Sequence, residues 1–215
     1  MYKKKPFFIV FEGVEGCGKS YQSKKLYSRF KKKKIDTLLT REPGGTKSSE
    51  LIRNLILKDY FANDSKEKFD KYTDTLLYLA ARNEHIKNKI KPALLKKKVV
   101  ICDRFTDSTI AYQVYGKKVE LNFIKNIHKR ILQGIKPNIV FVLKVSKTSS
   151  RTRLRKRKTK NRYDNFAQSF YSKAQNSFIK IAKNKKNYFI LDSSSNNIFL
   201  EKKIFDICNK YLNIK

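Results

Sequence analysis

No apolar run in this chain approaches the roughly 18 residues needed to cross a bilayer as a helix, so no membrane-spanning segment is expected. The short stretch PFFIVF, which follows Met1-Tyr2-Lys3-Lys4-Lys5, is closed by Glu12 before it reaches the pattern of a secretory leader. Cysteine is scarce. Cys17, Cys102 and Cys208 are odd in number and widely spaced, which excludes a disulfide framework and a paired-cysteine metal site. A soluble protein of the reducing cytoplasm is the expectation. Acidic residues are also few, 18 against 51 basic ones, for a net charge of +33. Such a balance ordinarily suggests a polyanionic partner. Here the lysines run along the whole chain together with abundant Asn, Ile, Phe and Tyr, the set that an A/T-rich genome writes into any protein. Compositional drift therefore explains the charge better than nucleic-acid binding, and no stable nucleic-acid partner is expected. A basic field still attracts anionic nucleotides. Internal repeats are absent as well.

What remains is 215 residues with 40% apolar content, enough for one sizeable core and hence for one domain over residues 1–215. Strand-length apolar runs recur at Phe7–Phe11, Thr37–Thr40, Val99–Cys102, Ile139–Val145 and Tyr188–Leu191, with helix-length segments between them. That alternation predicts an α/β architecture: a parallel sheet covered on both faces, with ligands at the C-terminal ends of the strands. Helical periodicity is clearest over Tyr72–Ile90, where Leu76, Leu79, Ala80 and Ile86 share a stripe, and over Phe166–Ala182. The stretch Arg151–Arg162, RTRLRKRKTKNR, is too charged to pack. It is either a solvated helix end or a segment that grips a ligand.

The segment Gly13-Val14-Glu15-Gly16-Cys17-Gly18-Lys19-Ser20 matches the phosphate-binding pattern G-x-x-x-x-G-K-[ST], between a strand and the amphipathic stretch Tyr21–Phe30. In that context the glycines let backbone N–H groups turn inward around an anion, and the helix start adds its positive dipole end. Lys19 is expected on the β and γ phosphates of ATP and Ser20 on Mg²⁺. Cys17 either lines this nest as a reactive thiol or fills a position needing a small side chain.

Three further motifs fall at strand ends or on the long helix: Thr40-Arg41-Glu42-Pro43-Gly44-Gly45-Thr46, Asp103-Arg104-Phe105, and Tyr78-Leu79-Ala80-Ala81-Arg82. Taken in order with GVEGCGKS, the STIAYQ run and the arginine-rich segment, they resemble the bacterial thymidylate kinases over nearly the whole chain. TREPGG and DR…S-T-x-A-Y-Q carry most of that resemblance. It implies a P-loop fold with a five-stranded parallel sheet, a homodimer, Mg²⁺-dependent phosphoryl transfer from ATP to dTMP, and an arginine-rich lid over about residues 150–163.

The resemblance also implies roles for individual residues. Tyr78 would stack on thymine, with core packing as the alternative. Arg82, one helical turn on, would donate to a base carbonyl, with a surface ion pair as its alternative. Arg41 and Arg104 match positions near the acceptor phosphate, where a guanidinium fork can span two oxygens. Asp103 would meet Mg²⁺ or Arg104 at the end of its strand. A general-base role does not suit it, because the second pKa of the acceptor phosphate lies near 6 and its oxygen is already largely ionised at neutral pH. Glu15 would lie near the deoxyribose 3′-hydroxyl, and Thr109 and Tyr112 beside base and sugar, with Tyr112 crowding out a ribose 2′-hydroxyl. Gln113 is expected behind them. The P-loop interior, Val14 to Cys17, contains no basic residue, and the resemblance implies that members of this kind carry the catalytic arginine on the lid. Among Arg153, Arg155, Arg157 and Arg162, the resemblance favours Arg157, with Arg153 nearer the adenine. Asn161 and Lys144 stand where relatives carry acidic residues, and Asp164 is a substitute carboxylate.

Overall fold

The computed structural model describes residues 5–58, 68–156, 168–195 and 198–214. Its centre is a sheet of five parallel strands, β1 (Phe7–Glu12), β2 (Thr37–Arg41), β3 (Val99–Asp103), β4 (Ile139–Lys144) and β5 (Tyr188–Asp192), in the order β2-β3-β1-β4-β5. All six residues of β1 are buried. A central parallel strand is covered on both faces, which is why its sequence is a continuous apolar run rather than an alternating one.

Register sets the site. Phe11 pairs with Asp103 and Asp103 with Arg41, so three neighbouring strands end in one row. The segments that follow them begin side by side at that edge: Gly13–Gly18 after β1, the turn holding Glu42 to Thr46 after β2, and Arg104–Phe105 after β3. The predicted strands match the observed ones to within one residue at each end.

The helices are α1 (Lys19–Lys32), α2 (Lys47–Leu57), α3 (Lys71–His85), α4 (Lys91–Leu95), α5 (Thr106–Thr109), α6 (Leu121–Leu132), α7 (Lys147–Arg155), α8 (Gln168–Ala182) and α9 (Ile198–Leu212). Helix α1 packs on β1, β2 and β3 and against α9, while α8 packs on β4 and β5. Aromatic and branched residues of the sheet, α1, α8 and α9 make the main core, and Leu79, Val119 and Ile124 form a smaller one between α3 and α6.

The long predicted helix changes pitch. After α3 the chain runs as a π-helical turn over Ile86–Ile90, where Lys91 N–H reaches back to Ile86 O, and then continues as α4. Pro92 follows at once and has no N–H to give an α-helical ladder, which a local change of pitch accommodates. The apolar stripe proposed for this helix needs correction. Leu79 and Ile86 are buried, but Leu76 is 47% exposed and Ala80 is exposed too. The buried face carries Asp74, Thr75, Arg82 and His85 instead, because this helix turns a polar network inward. A second π-helical segment, Ile110–Gly116, extends α5.

Candidate functional site

The P-loop closes tightly on itself. Gly13 has φ +140°, and a Cβ there would lie 2.5 Å from Leu143 O and 2.7 Å from Cys17 Sγ, so only glycine fits. Cys17 is fully buried beneath the loop. It fills space there and is shielded from reagents. Lys19 Nζ donates to Val14 O at 2.8 Å and lies 3.5 Å from Cys17 Sγ, which draws the ammonium back over the loop. Ser20 Oγ donates to Asp103 Oδ2 across the gap between α1 and β3. This hydroxyl and carboxylate are hard oxygen donors of the kind Mg²⁺ takes alongside phosphate oxygens. Among the described residues no cluster of three or more His, Cys, Asp or Glu could hold a metal by itself. A divalent ion would therefore have to complete its shell with nucleotide and water.

Beside the P-loop lies a cavity of about 390 Å³, within the usual range for small-molecule sites. One wall is Glu15, Gly16, Gly18, Lys19 and Ser20; the facing wall is Arg104, Ser108, Thr109, Tyr112 and Gln113. Glu15 joins the two. Its carboxylate accepts from Arg104 Nη2 at 2.7 Å and from the Tyr112 hydroxyl at 2.5 Å. Burial pushes the Glu15 carboxyl up, but the charges of Arg104 and then Lys19 outweigh it and hold Glu15 below the usual carboxylate range. Burial and then Glu15 raise Tyr112 well above an ordinary phenol, so it remains a neutral donor. Arg104 also donates to Gly13 O at 2.9 Å and Ser108 Oγ at 3.1 Å.

At the far end of the cavity are Arg41, Arg53, Tyr78 and Arg82. Arg41 Nη2 donates to both carboxylate oxygens of Glu50, at 2.9 and 3.0 Å, on an exposed surface. Tyr78 is half-buried, packs against the main core and lines the cavity, so stacking and packing are not exclusive roles. Arg82 is only 3% exposed, which removes the surface-ion-pair reading. Its Nε donates to Glu42 at 2.7 Å, Nη1 to Thr109 Oγ1 at 2.6 Å, and Nη2 to Phe105 O at 2.8 Å; Nη1 also meets His128 Nε2 at 2.9 Å. A guanidinium has five N–H groups, and among the described residues these contacts engage four of them.

His128 is the acceptor in that last contact and is neutral. Burial, reinforced by the charge of Arg82, holds its pKa down at about 3. An unfolded chain takes up that proton near pH 6.5 and the folded one does not, so stability falls as pH drops below about 6.5. His128→Asn, which retains an acceptor for Arg82, should flatten the loss of denaturation midpoint between pH 7 and pH 5. An unchanged slope would remove His128 as its source.

Sequence reasoning underrated two residues. Gln113, expected behind the binding surface, lines the cavity, and its buried Nε2 has no hydrogen-bond partner among the described residues. Arg53, which falls in no motif, lines the cavity from α2 and donates to Pro43 O at 2.6 Å. Only its three-residue offset from Glu50 on the helix after TREPGG hinted at it. Arg153 lies by the P-loop, bonded to Gly16 O, Ser193 O and Ser194 O. Gly13, Val14 and Cys17 are buried and do not line the cavity, and Arg155 is exposed at the end of α7. Arg157, Asn161, Arg162 and Asp164 lie outside the described residues.

Known proteins of this shape share the sequence as well. The solved thymidylate kinase of Ehrlichia chaffeensis superposes with a TM-score of 0.72 at 30% identity, covering 95% of this chain and 99% of that one. A thymidylate kinase of Wolbachia pipientis from Culex pipiens is 40% identical over 211 residues, 94% of this chain and 96% of the relative. That of Pelotomaculum thermopropionicum is 35% identical over 189 residues, 87% of this chain and 85% of its own length. The sequence model of the family described as thymidylate kinase matches residues 11–204. With the family model matched over residues 11–204 and relatives of this identity covering most of both chains, the chain belongs to the thymidylate kinase family.

Proposed function

We propose that this chain transfers the γ-phosphoryl group of ATP to dTMP, giving dTDP on the route to dTTP. The observation that carries the reading is the bridge made by Glu15, which ties a phosphate-binding loop to an acceptor wall across one cavity. Lys19 would leave Val14 O for the β and γ phosphates, and Arg104 and Arg41 would turn their forks to the acceptor phosphate. Ser20 and Asp103 would hold Mg²⁺, which when bound neutralises charge on the phosphates. Positioning is the main task of these groups, since an ionised phosphate oxygen needs no base. Arg153 would face the adenine, and Arg157 remains the proposed lid cation on the strength of the resemblance.

Base choice follows from donors. The fifth N–H of Arg82 and the Nε2 of Gln113 would meet a carbonyl on the ring edge, with Tyr78 against its face. Thymine and uracil offer that carbonyl, whereas cytosine presents an amino group that would set donor against donor. Tyr112, held by Glu15, would crowd a 2′-hydroxyl, and Thr109 would lie beside base and sugar.

A homodimer is proposed through α2 and α3, where Leu51, Leu55 and Leu76 are exposed. Among the described residues no helix is long and apolar enough to cross a membrane, and the three cysteines are free, consistent with a reducing cytoplasm. The test offers purified protein ATP and Mg²⁺ with dTMP, dUMP, UMP, dCMP, AMP or thymidine and follows diphosphate formation. Turnover of dTMP well above UMP, dCMP and AMP is expected. Absence of dTMP turnover, together with salt-sensitive DNA binding, would overturn the reading in favour of a charge-driven nucleic-acid function.

A further inference from the structure

Helix α5 and the π-helical segment that extends it carry much of the acceptor wall, including Thr109, Tyr112 and Gln113, yet they start badly. Arg104, just before, adopts a left-handed φ of +75°, costly for a residue with a Cβ. Phe105 occupies the N-cap position and supplies no side-chain cap. The first N–H groups of a helix need an acceptor. That acceptor comes from another element. Glu12, the last residue of β1, is fully buried, and its Oε1 accepts from Phe105 N at 2.8 Å and from Ser108 N at 3.2 Å. Its Oε2 accepts from Ser108 Oγ at 2.6 Å.

We propose that Glu12 is a positioning residue for the acceptor substrate: it caps the Thr106–Gly116 helix from β1 and so fixes the acceptor wall relative to the P-loop. The next residue, Gly13, opens that loop, so one strand end sets both halves of the site. Ser108, held by Glu12, in turn receives Arg104 Nη1. Asp107 and Arg104 face the carboxyl from the same turn, and Tyr188 and Cys102 feel its charge from β5 and β3. Burial and then Asp107 lift the Glu12 carboxyl to about 7. Reach and acceptor geometry matter more than charge. Glutamine retains the reach and an oxygen to accept from the Phe105 and Ser108 N–H groups, while its amide nitrogen would donate to Ser108 Oγ. Aspartate retains the charge but is one methylene short.

This inference rests on the dTMP kinase reading, and the experiment separates the two. Wild type, Glu12→Asp and Glu12→Gln are assayed with dTMP and ATP varied in turn. Glu12→Asp should raise KM for dTMP about tenfold or more and KM for ATP less than about twofold, because a shift of the wall by a fraction of a residue spoils acceptor alignment only. Glu12→Gln should recover KM for dTMP to within about threefold of wild type. Should Glu12→Asp fail to fold, Ser108→Ala, which keeps the two backbone caps but removes the hydroxyl bond to Oε2 together with the acceptor for Arg104 Nη1, should raise KM for dTMP by a few-fold. An equal rise in both constants, no rise in either variant, or a Glu12→Gln enzyme worse than Glu12→Asp would overturn the positioning role. An inactive wild type would instead overturn the function.

Discussion

Replacing Lys19 with alanine should lower turnover by at least about 10²–10³-fold, the loss typical of removing one pre-placed donor from a developing charge. The melting temperature should move little. Lys19 is the first residue of α1, where alanine is a better helix former, and among the described residues its ammonium hydrogen-bonds to Val14 O and Cys17 Sγ within the loop, with the Glu15 charge near it. The aliphatic stem covers apolar surface, so Lys19→Met serves as a control that retains the stem and loses the charge. Both variants should bind dTMP nearly as wild type does, since Arg104, Tyr112 and Arg82 are untouched. Turnover within about tenfold of wild type in both would sink the assignment of Lys19 to the phosphates.

The P-loop was legible because its pattern is local: eight consecutive residues, a strand before and a helix after. The five strands were legible for a similar reason, since parallel strands buried on both faces read as unbroken apolar runs. Helix α3 shows where this reasoning stops. Periodicity assumes that apolar residues point inward, but Arg82 and His85 pair with Glu42 from a different motif, and that network takes the inner face from Leu76 and Ala80. Glu12 was read only as the end of an apolar strand. Its partners are Phe105 and Ser108, more than 90 positions away, and no local pattern announces such a cap. Gln113 was visible in STIAYQ, but widened helical pitch over Ile110–Gly116 governs which side chains face the cavity, and pitch leaves no mark in a motif.

The costliest change to the fold should be at Glu42. Its carboxylate is buried, paired to Arg82 at 2.7 Å and to His85 Nδ1 at 3.1 Å, while His85 Nε2 lies 2.7 Å from Thr40 Oγ1. Burial pushes the Glu42 carboxyl up, but Arg82 and then His85 outweigh it and hold it below the usual carboxylate range. A depressed folded pKa means that the stabilisation is present above the unfolded carboxylate pKa and is lost as pH falls through the folded value. Removing one partner of a buried pair leaves an uncompensated charge, at a cost of about 3–5 kcal/mol. Glu42→Ala should therefore lower the melting temperature by roughly 10 °C or more in a chain of this size. Glu42→Gln, which can still accept from Arg82 Nε, should fall between alanine and wild type. The double variant Glu42→Leu with Arg82→Met removes both charges and should regain part of the lost stability, though Thr109, His128 and Phe105 O lose their donor. Its KM for dTMP should stay high, because the N–H offered to the base is gone. Recovery of dTMP binding along with stability would mean that Arg82 serves only the fold, and a Glu42→Ala protein that melts like wild type would mean that the buried pair is not formed in solution.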